Sequence, residues 1–221
     1  MMALLKRFGL VFVLALSTAL TAHANTNHAL AVMVPDSGTY SRAISTQSPD
    51  AQKFFDQGLR LAWGFYFPES IASYQQASLF DPEHPMPYWG IAHAAGPNPN
   101  SRYAQMPDDP QGAGLAAIQS ALARIDRATP MEAELIRALH IFYDADRIPD
   151  PKARDQAYLA QMRALNAKFP DDPDIAALYA GSFMSIRRWD YWDKSGVAKG
   201  ETLAVAEALE HIIRTGGPHP G

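Results

Sequence analysis

The residues best suited to bind a ligand lie between positions 89 and 100. They combine an indole, an imidazole and two carboxamides: Trp89, His93, Asn98 and Asn100. The asparagines belong to an insertion over 96–111, which contains four prolines and is longer than most connections between helices. Loops of this length are often functional, so one hypothesis is a ligand-binding surface. In the alternative, Gly96 ends a helix, the asparagines form side-chain turns and the two rings pack in the core.

A second cluster of aromatic side chains lies further along the chain. Three aromatic residues and two acids occupy consecutive positions: Trp189, Asp190, Tyr191, Trp192 and Asp193. Ring faces attract positive charge and the carboxylates add to that attraction, so this loop could stack on a sugar or a cation. Tryptophans in a loop also cover the helices beneath them, because each buries a large apolar area. The sequence leaves both interpretations open.

Metal coordination and catalysis have little support in the sequence. The histidines form no His-x-His or His-Glu-x-x-His motif, and the chain has no cysteine. His219 is a weak candidate for a metal ligand, because residues beyond position 221 could supply the others. No Gly-x-Ser-x-Gly turn or phosphate-binding glycine loop is present. We therefore predict no cofactor and no catalytic residue, and the sequence favours a protein that is not an enzyme.

The overall charge argues against one class of partner. Nineteen lysines and arginines stand against 23 acidic residues, for a net charge of −4, and the cations form no run. Nucleic-acid binding needs a concentrated basic face. The sequence therefore predicts no nucleic-acid partner.

Residues 1–24 have the pattern of a secretory signal peptide. Two cations precede an apolar run over 8–20, and Ala22-His23-Ala24 is the small-x-small pattern that signal peptidase cleaves. We expect cleavage before Asn25 and a periplasmic or secreted protein, and the absence of cysteine suits an oxidising periplasm. No second apolar stretch of membrane length follows, so no stable membrane insertion is expected after cleavage.

The remainder of the chain has the periodicity of helices. Residues 25–47 show neither helical nor strand periodicity and are interpreted as a disordered or extended lead-in. From Ser48 onwards, apolar residues recur at helical spacing, and prolines open successive segments. The pattern predicts an all-α domain over 48–221, with eight helices that start near residues 49, 68, 86, 112, 130, 151, 172 and 200.

Alternate helix starts lie 37, 44 and 42 residues apart, which is typical of stacked antiparallel helical hairpins. The first pair and the start of the second fit the aromatic, small and proline positions of the tetratricopeptide motif of about 34 residues. These positions are Phe54, Gly58, Tyr74, Ala77, Pro82, Tyr88 and Ala92. The chain thus resembles a tetratricopeptide-repeat protein. The resemblance implies a right-handed α-solenoid, with degenerate later repeats that carry insertions at 96–111 and 187–199.

Three segments narrow this resemblance: 88–100, 189–192 and the closing His219-Pro220-Gly221. They are similar to a group of exported bacterial tetratricopeptide-like proteins without an assigned function, whose members continue with histidine-rich helices. The resemblance implies that this chain is an N-terminal fragment, incomplete at its C-terminus.

Two functions remain open at this stage. The first is an exported scaffold that binds a peptide or protein partner in a concave groove, lined by exposed residues of the first helices such as Gln52, Lys53, Gln57 and Arg60. The second is a periplasmic protein that binds a metal or a small ligand, or an enzyme, whose site is completed by residues after position 221. We also expect self-association, because the last helix is apolar on more than one side, at Leu203, Val205, Leu209, Ile212 and Ile213.

Overall fold

The structure is a computed structural model that describes residues 30–106, 109–216 and 219–221. The predicted signal peptide, residues 1–24, lies outside the described residues, as does the start of the lead-in. Within the described ranges, no helix is long and apolar enough to cross a lipid bilayer.

The described residues form eight α-helices and no β-sheet, which confirms the predicted all-α class. The helices are α1 (Pro49–Trp63), α2 (Phe67–Phe80), α3 (Pro85–Ala95), α4 (Pro110–Leu122), α5 (Pro130–Tyr143), α6 (Pro151–Lys168), α7 (Pro173–Arg187) and α8 (Thr202–Thr215). A short 3₁₀ helix, Ile125–Arg127, precedes α5. Each observed start lies within two residues of the predicted one.

Local sequence explains why most helices begin where they do. A proline stands in the first turn of α1 to α7, where its missing N–H leaves no hydrogen bond unmade. Side chains cap the free backbone N–H groups, among them Ser48, Asp109, Asp150 and Asp172. At α5, Thr129 and Glu132 form a full capping box.

Consecutive helices pack against each other along the chain, and α1 also contacts α3, as α3 contacts α5. Glycines in α1 and α3 allow these helices to approach α2 closely. A Cβ atom placed on Gly58 of α1 would lie 2.8 Å from the ring of Tyr74, and one on Gly90 of α3 would lie 2.4 Å from it. Tyr74 of α2 is therefore packed against glycines from both neighbouring helices.

The other positions that match the repeat motif lie in or beside this packing. Ala77 and Ala92 are fully buried, whereas Phe54 is partly buried and stacks on Phe80. The hydroxyl of Tyr88 donates to the carbonyl of Pro82 over 3.0 Å.

The lead-in over 30–47 has no helix or strand and lies along the helices in the described structure. Ile44 is buried in the core, and Ser45 donates hydrogen bonds to Glu132 at the start of α5. This segment also bonds to side chains of α1, α2 and α7. Residues 30–47 are thus part of the folded body.

Candidate functional site

A cavity of about 330 Å³ lies between the end of α1, the loop after α3, and helices α6, α7 and α8. Its wall is mainly aromatic and aliphatic, with Trp63, Phe65 and Phe67 from α1, the following turn and α2. His93 and Asn98 contribute polar groups, and Tyr158 adds a phenol. No aspartate, glutamate, lysine or arginine side chain belongs to the described wall, which also includes Pro220 and Gly221. The cavity is therefore an apolar space with a few polar groups, as small-molecule sites usually are.

His93 is a buried polar side chain in the wall of this cavity. It is only 8% exposed, its ring lies flat on Trp89 at 5.2 Å and an interplanar angle of 4°, and Trp63 packs at 5.6 Å. Its Nδ1 atom has no hydrogen-bond partner among the described residues. Burial lowers the pKa of His93 to about 4, so the ring is neutral near pH 7. A neutral imidazole keeps one N–H donor and one acceptor nitrogen.

The loop after α3 supplies one side of the cavity through Pro97, Asn98 and Pro99. The Asn98 Oδ1 atom accepts a hydrogen bond from the N–H of Asn100 at 2.8 Å, which is an asparagine turn. Asn100 itself is exposed and lies outside the cavity wall. Of the four predicted residues, the structure thus places His93 and Asn98 in the wall, with Trp89 stacked on His93.

Gly181 widens the cavity from the α7 side. It lies in the middle of the helix, where a glycine costs about 1 kcal/mol relative to alanine. A Cβ atom placed on it would meet no atom within 4 Å. Sequence reasoning missed this residue and Tyr158, because a lone helical glycine or an apolar-stripe tyrosine has the same pattern when it simply packs in a core.

Beside the cavity, a buried carboxylate joins three distant parts of the chain. Asp174 in the first turn of α7 is 1% exposed. It accepts hydrogen bonds from the Tyr40 hydroxyl at 2.8 Å, Arg42 Nη1 at 2.8 Å, His219 Nε2 at 3.0 Å and Trp63 Nε1 at 3.3 Å. We call these five residues the Asp174 cluster.

The charges in the Asp174 cluster are balanced. Burial alone would raise the pKa of Asp174, but the hydrogen bond from His219 and the charge of Arg42 lower it to about 2. Arg42 also donates to both carboxylate oxygens of Asp172, at 2.8 and 3.0 Å. The acid is therefore ionised and fully hydrogen-bonded, which suits a structural ion pair rather than a proton-transfer group.

His219 has both ring nitrogens engaged. Nε2 bonds to Asp174, and Nδ1 accepts from the N–H of Gly221 at 3.0 Å. Its ring packs edge-on against Tyr40 and Trp63. In the described part of the chain, no group of three or more histidine and acidic side chains is arranged to hold a metal ion.

The glutamines predicted to line an open groove hold the protein's own lead-in. Gln57 accepts from the N–H of Val34 at 2.7 Å and donates to the carbonyl of Val32 at 2.9 Å. Gln52 repeats this pattern on the N–H of Ile44 and the carbonyl of Arg42, both at 2.9 Å. Each carboxamide thus pairs with an extended backbone as a neighbouring strand would.

The aromatic loop at 189–193 divides into a buried and an exposed part. Tyr191 is partly buried and packs on Phe183 with ring centroids 6.0 Å apart. Trp189 and Trp192 are 79% and 51% exposed. The interpretation that these tryptophans cover the helices beneath them is wrong, because the single tyrosine between them makes that contact.

The described wall of the cavity contains one serine, Ser182. The hydroxyl of Ser182 donates to the carbonyl of Tyr179 at 2.7 Å, so it is not paired with His93 as a nucleophile would be with its base.

Comparison with known proteins identifies no matching protein-family model, curated protein or solved structure.

Proposed function

We propose that this protein binds a small, neutral and mostly apolar ligand in the cavity beside His93. The observation that carries the proposal is an apolar cavity whose wall holds the buried, neutral imidazole of His93. A ligand that forms a hydrogen bond with this ring gains about 0.5–1.5 kcal/mol.

The lining defines the class of ligand. The volume falls at the lower end of the range of about 300–1,000 Å³ that small-molecule sites occupy. Aromatic rings from Trp63, Phe65, Phe67 and Tyr158 favour a planar ring or a short aliphatic body. An ionised ligand would lose its hydration without gaining a counter-ion from a side chain of the described wall, so a neutral molecule with one hydroxyl, carbonyl or amide is expected.

Two probes of equal shape test this function: p-cresol, and p-xylene, in which a methyl group replaces the hydroxyl. Calorimetric titration of the wild-type protein should show tighter binding of p-cresol, by roughly fivefold for one net hydrogen bond of about 1 kcal/mol. Gly181→Leu should abolish binding of both probes, because its side chain enters the cavity. His93→Phe should remove the preference for p-cresol while p-xylene still binds.

Ala153→Leu is the matched control, because it adds similar apolar bulk at an exposed position on α6 outside the cavity. Its affinities should equal those of the wild type. If neither probe binds at millimolar concentration, or if Gly181→Leu leaves the affinities unchanged, the proposed ligand site is wrong.

A second candidate function is recognition of an extended peptide by a helical-repeat scaffold, and the paired hydrogen bonds of Gln52 and Gln57 favour it. We infer that the chain is an exported tetratricopeptide-like protein whose groove holds residues 30–47 in cis. A partner peptide must displace this segment, which is present at a high effective concentration because it is tethered.

A synthetic peptide with the sequence of residues 38–47 tests the second function. Arg42→Ala removes the side chain that occupies the pocket between Asp172 and Asp174, so this variant should bind the peptide more tightly than the wild type does. The control peptide carries alanine in place of its arginine and should not bind. Circular dichroism must first show that the variant is folded; equal affinity of the folded variant for both peptides, or no binding, would contradict peptide recognition at this groove.

A further inference from the structure

Residues 189–199 form a small hairpin, here called the tryptophan hairpin. An antiparallel bridge joins Trp192 to Ala198. The N–H of Asp193 donates to the carbonyl of Val197, and the N–H of Lys199 donates to the carbonyl of Tyr191, both at 2.9 Å. The hairpin is thus a defined element between α7 and α8.

The base of the hairpin is fastened to the helices. Tyr191 packs on Phe183 of α7, and its carbonyl accepts a hydrogen bond from the Thr202 hydroxyl at 3.0 Å. Trp189 has a φ of 69°, in the left-handed region that a bulky residue rarely adopts. The base of the hairpin is therefore fixed to α7 and α8, whereas the side chain of Trp189 is exposed to solvent.

The hairpin carries three large apolar side chains that are exposed to solvent. Trp189, Trp192 and Val197 are 79%, 51% and 61% exposed. Large apolar side chains clustered in solvent are uncommon in soluble proteins and mark interaction sites. A scattered exposed residue needs no such explanation, but three within nine positions of one hairpin do.

The charges around these residues indicate the kind of partner. Residues 187–199 hold four cations and two acids, a local charge of +2 in a chain of net charge −4. Asp190 is paired with Lys199 and lies 3.9 Å from Arg187. Asp193 accepts from the N–H groups of Ser195 and Val197 at 2.8 Å. Arg188 and Lys194 form no ion pair within the described residues.

These occupied carboxylates disfavour a sugar. Sugar recognition by aromatic side chains needs polar groups beside the rings that are free to bond hydroxyls, and both acids here already have partners. Tryptophans next to cations are instead the combination found at membrane interfaces, where indoles lie at the headgroup level and cations attract anionic lipids. We propose that the tryptophan hairpin docks on the surface of an anionic lipid bilayer, with Trp189 and Trp192 among the headgroups.

Vesicle flotation with tryptophan fluorescence tests the docking. The protein is used with residues 1–24 removed, because the apolar run at 8–20 would itself bind lipid. Vesicles of 30% phosphatidylserine in phosphatidylcholine should carry the protein upward and shift its emission to the blue, and vesicles of pure phosphatidylcholine should do so at least fivefold less. Raising the salt concentration should weaken binding, because the attraction is partly electrostatic.

The double variant Trp189→Ser/Trp192→Ser should lose flotation, and Arg188→Glu/Lys194→Glu should lose the preference for phosphatidylserine. Ile213→Ser is the matched control, since Ile213 is an equally exposed apolar residue of α8, at 79%. Its flotation should equal that of the wild type. No binding to either vesicle, an equal loss with Ile213→Ser, or binding to an insoluble polysaccharide instead of vesicles would overturn the proposal.

Discussion

Arg42 Nη1 lies 2.8 Å from Oδ2 of Asp174, a residue 132 positions later in the chain. This contact joins the irregular lead-in to the first turn of α7. It is largely shielded from solvent, because the side chains of Arg42 and Asp174 are 10% and 1% exposed. Since His219 and Trp63 bond to the same carboxylate, the Asp174 cluster ties the lead-in, α1, α7 and the described C-terminal residues into one body.

Replacing Arg42 should destabilise the fold strongly. In Arg42→Met, both Asp172 and Asp174 lose their cation, and a buried carboxylate without its partner costs roughly 3–5 kcal/mol. Urea unfolding followed by circular dichroism measures the loss. Lys53→Met is the control, because the pair between Lys53 and Asp50 is exposed and should be worth less than about 1 kcal/mol. Equal stability of the two variants would mean that the cluster is not a stabilising ion pair.

Removal of one glutamine should release the first part of the lead-in. Gln57→Ala deletes both hydrogen bonds to the backbone of Val32 and Val34, so amide hydrogens over 30–36 should exchange faster with deuterium. Gln75→Ala, at an exposed position of α2, should leave exchange in this segment unchanged. Unaltered protection in Gln57→Ala would show that other contacts hold the segment.

Two identical glycine substitutions should have opposite effects on stability. Gly181→Ala adds a methyl group where no atom lies within 4 Å, so better helix propensity should raise the free energy of unfolding by about 0.5–1 kcal/mol. Gly58→Ala places the same group 2.8 Å from the Tyr74 ring and should lower it, by about 1–3 kcal/mol for overpacking. Thermal unfolding measures both, and a loss of stability in Gly181→Ala would contradict an open space beside that residue.

His93 should make the fold less stable in mild acid. Burial lowers its pKa to about 4, below the unfolded value of about 6.5, so the unfolded state takes up the proton first as the pH falls. The contribution of the neutral His93 ring to the free energy of unfolding is fully present above pH 6.5. As the pH falls from 6.5 to 4, this contribution is lost, by about 3 kcal/mol. Urea unfolding at several pH values across this range measures how steeply the free energy of unfolding changes with pH.

The variant His93→Gln should unfold with a shallower pH dependence, because it removes the titrating group. His84 also has a pKa lowered by burial, so part of the slope should remain. Asp174, which lies near His93, stays ionised across this range, since its pKa is about 2. Gln75→Ala, which removes no titratable group from an exposed position of α2, is the control that should keep the full slope. A slope that is the same in His93→Gln and the wild type would contradict a buried neutral ring.

Much of the helical framework was predictable because its causes are local. Prolines in the first turn, side-chain caps such as Ser48 and the capping box of Thr129 and Glu132 act within a few residues, and so they predict helix starts closely. The all-α class follows from the same short-range periodicity. Part of the candidate site was also predictable, because the unusual length of the loop after α3 indicated His93 and Asn98 as candidates.

The other features of the fold and of the candidate site depended on contacts between residues that are distant in the sequence. Nothing near Asp174 in the sequence indicates that Tyr40, Arg42 and His219 converge on it, because hydrogen bonds across 45 or more positions leave no periodic signal. The open space at Gly181 and the exposure of Trp189 and Trp192 could not be predicted either, because burial is a property of the assembled helices. The sequence by itself determined the helices and their ends through local backbone energetics, whereas the tertiary structure decided the cavity, the path of the lead-in and the exposed hairpin through packing and desolvation.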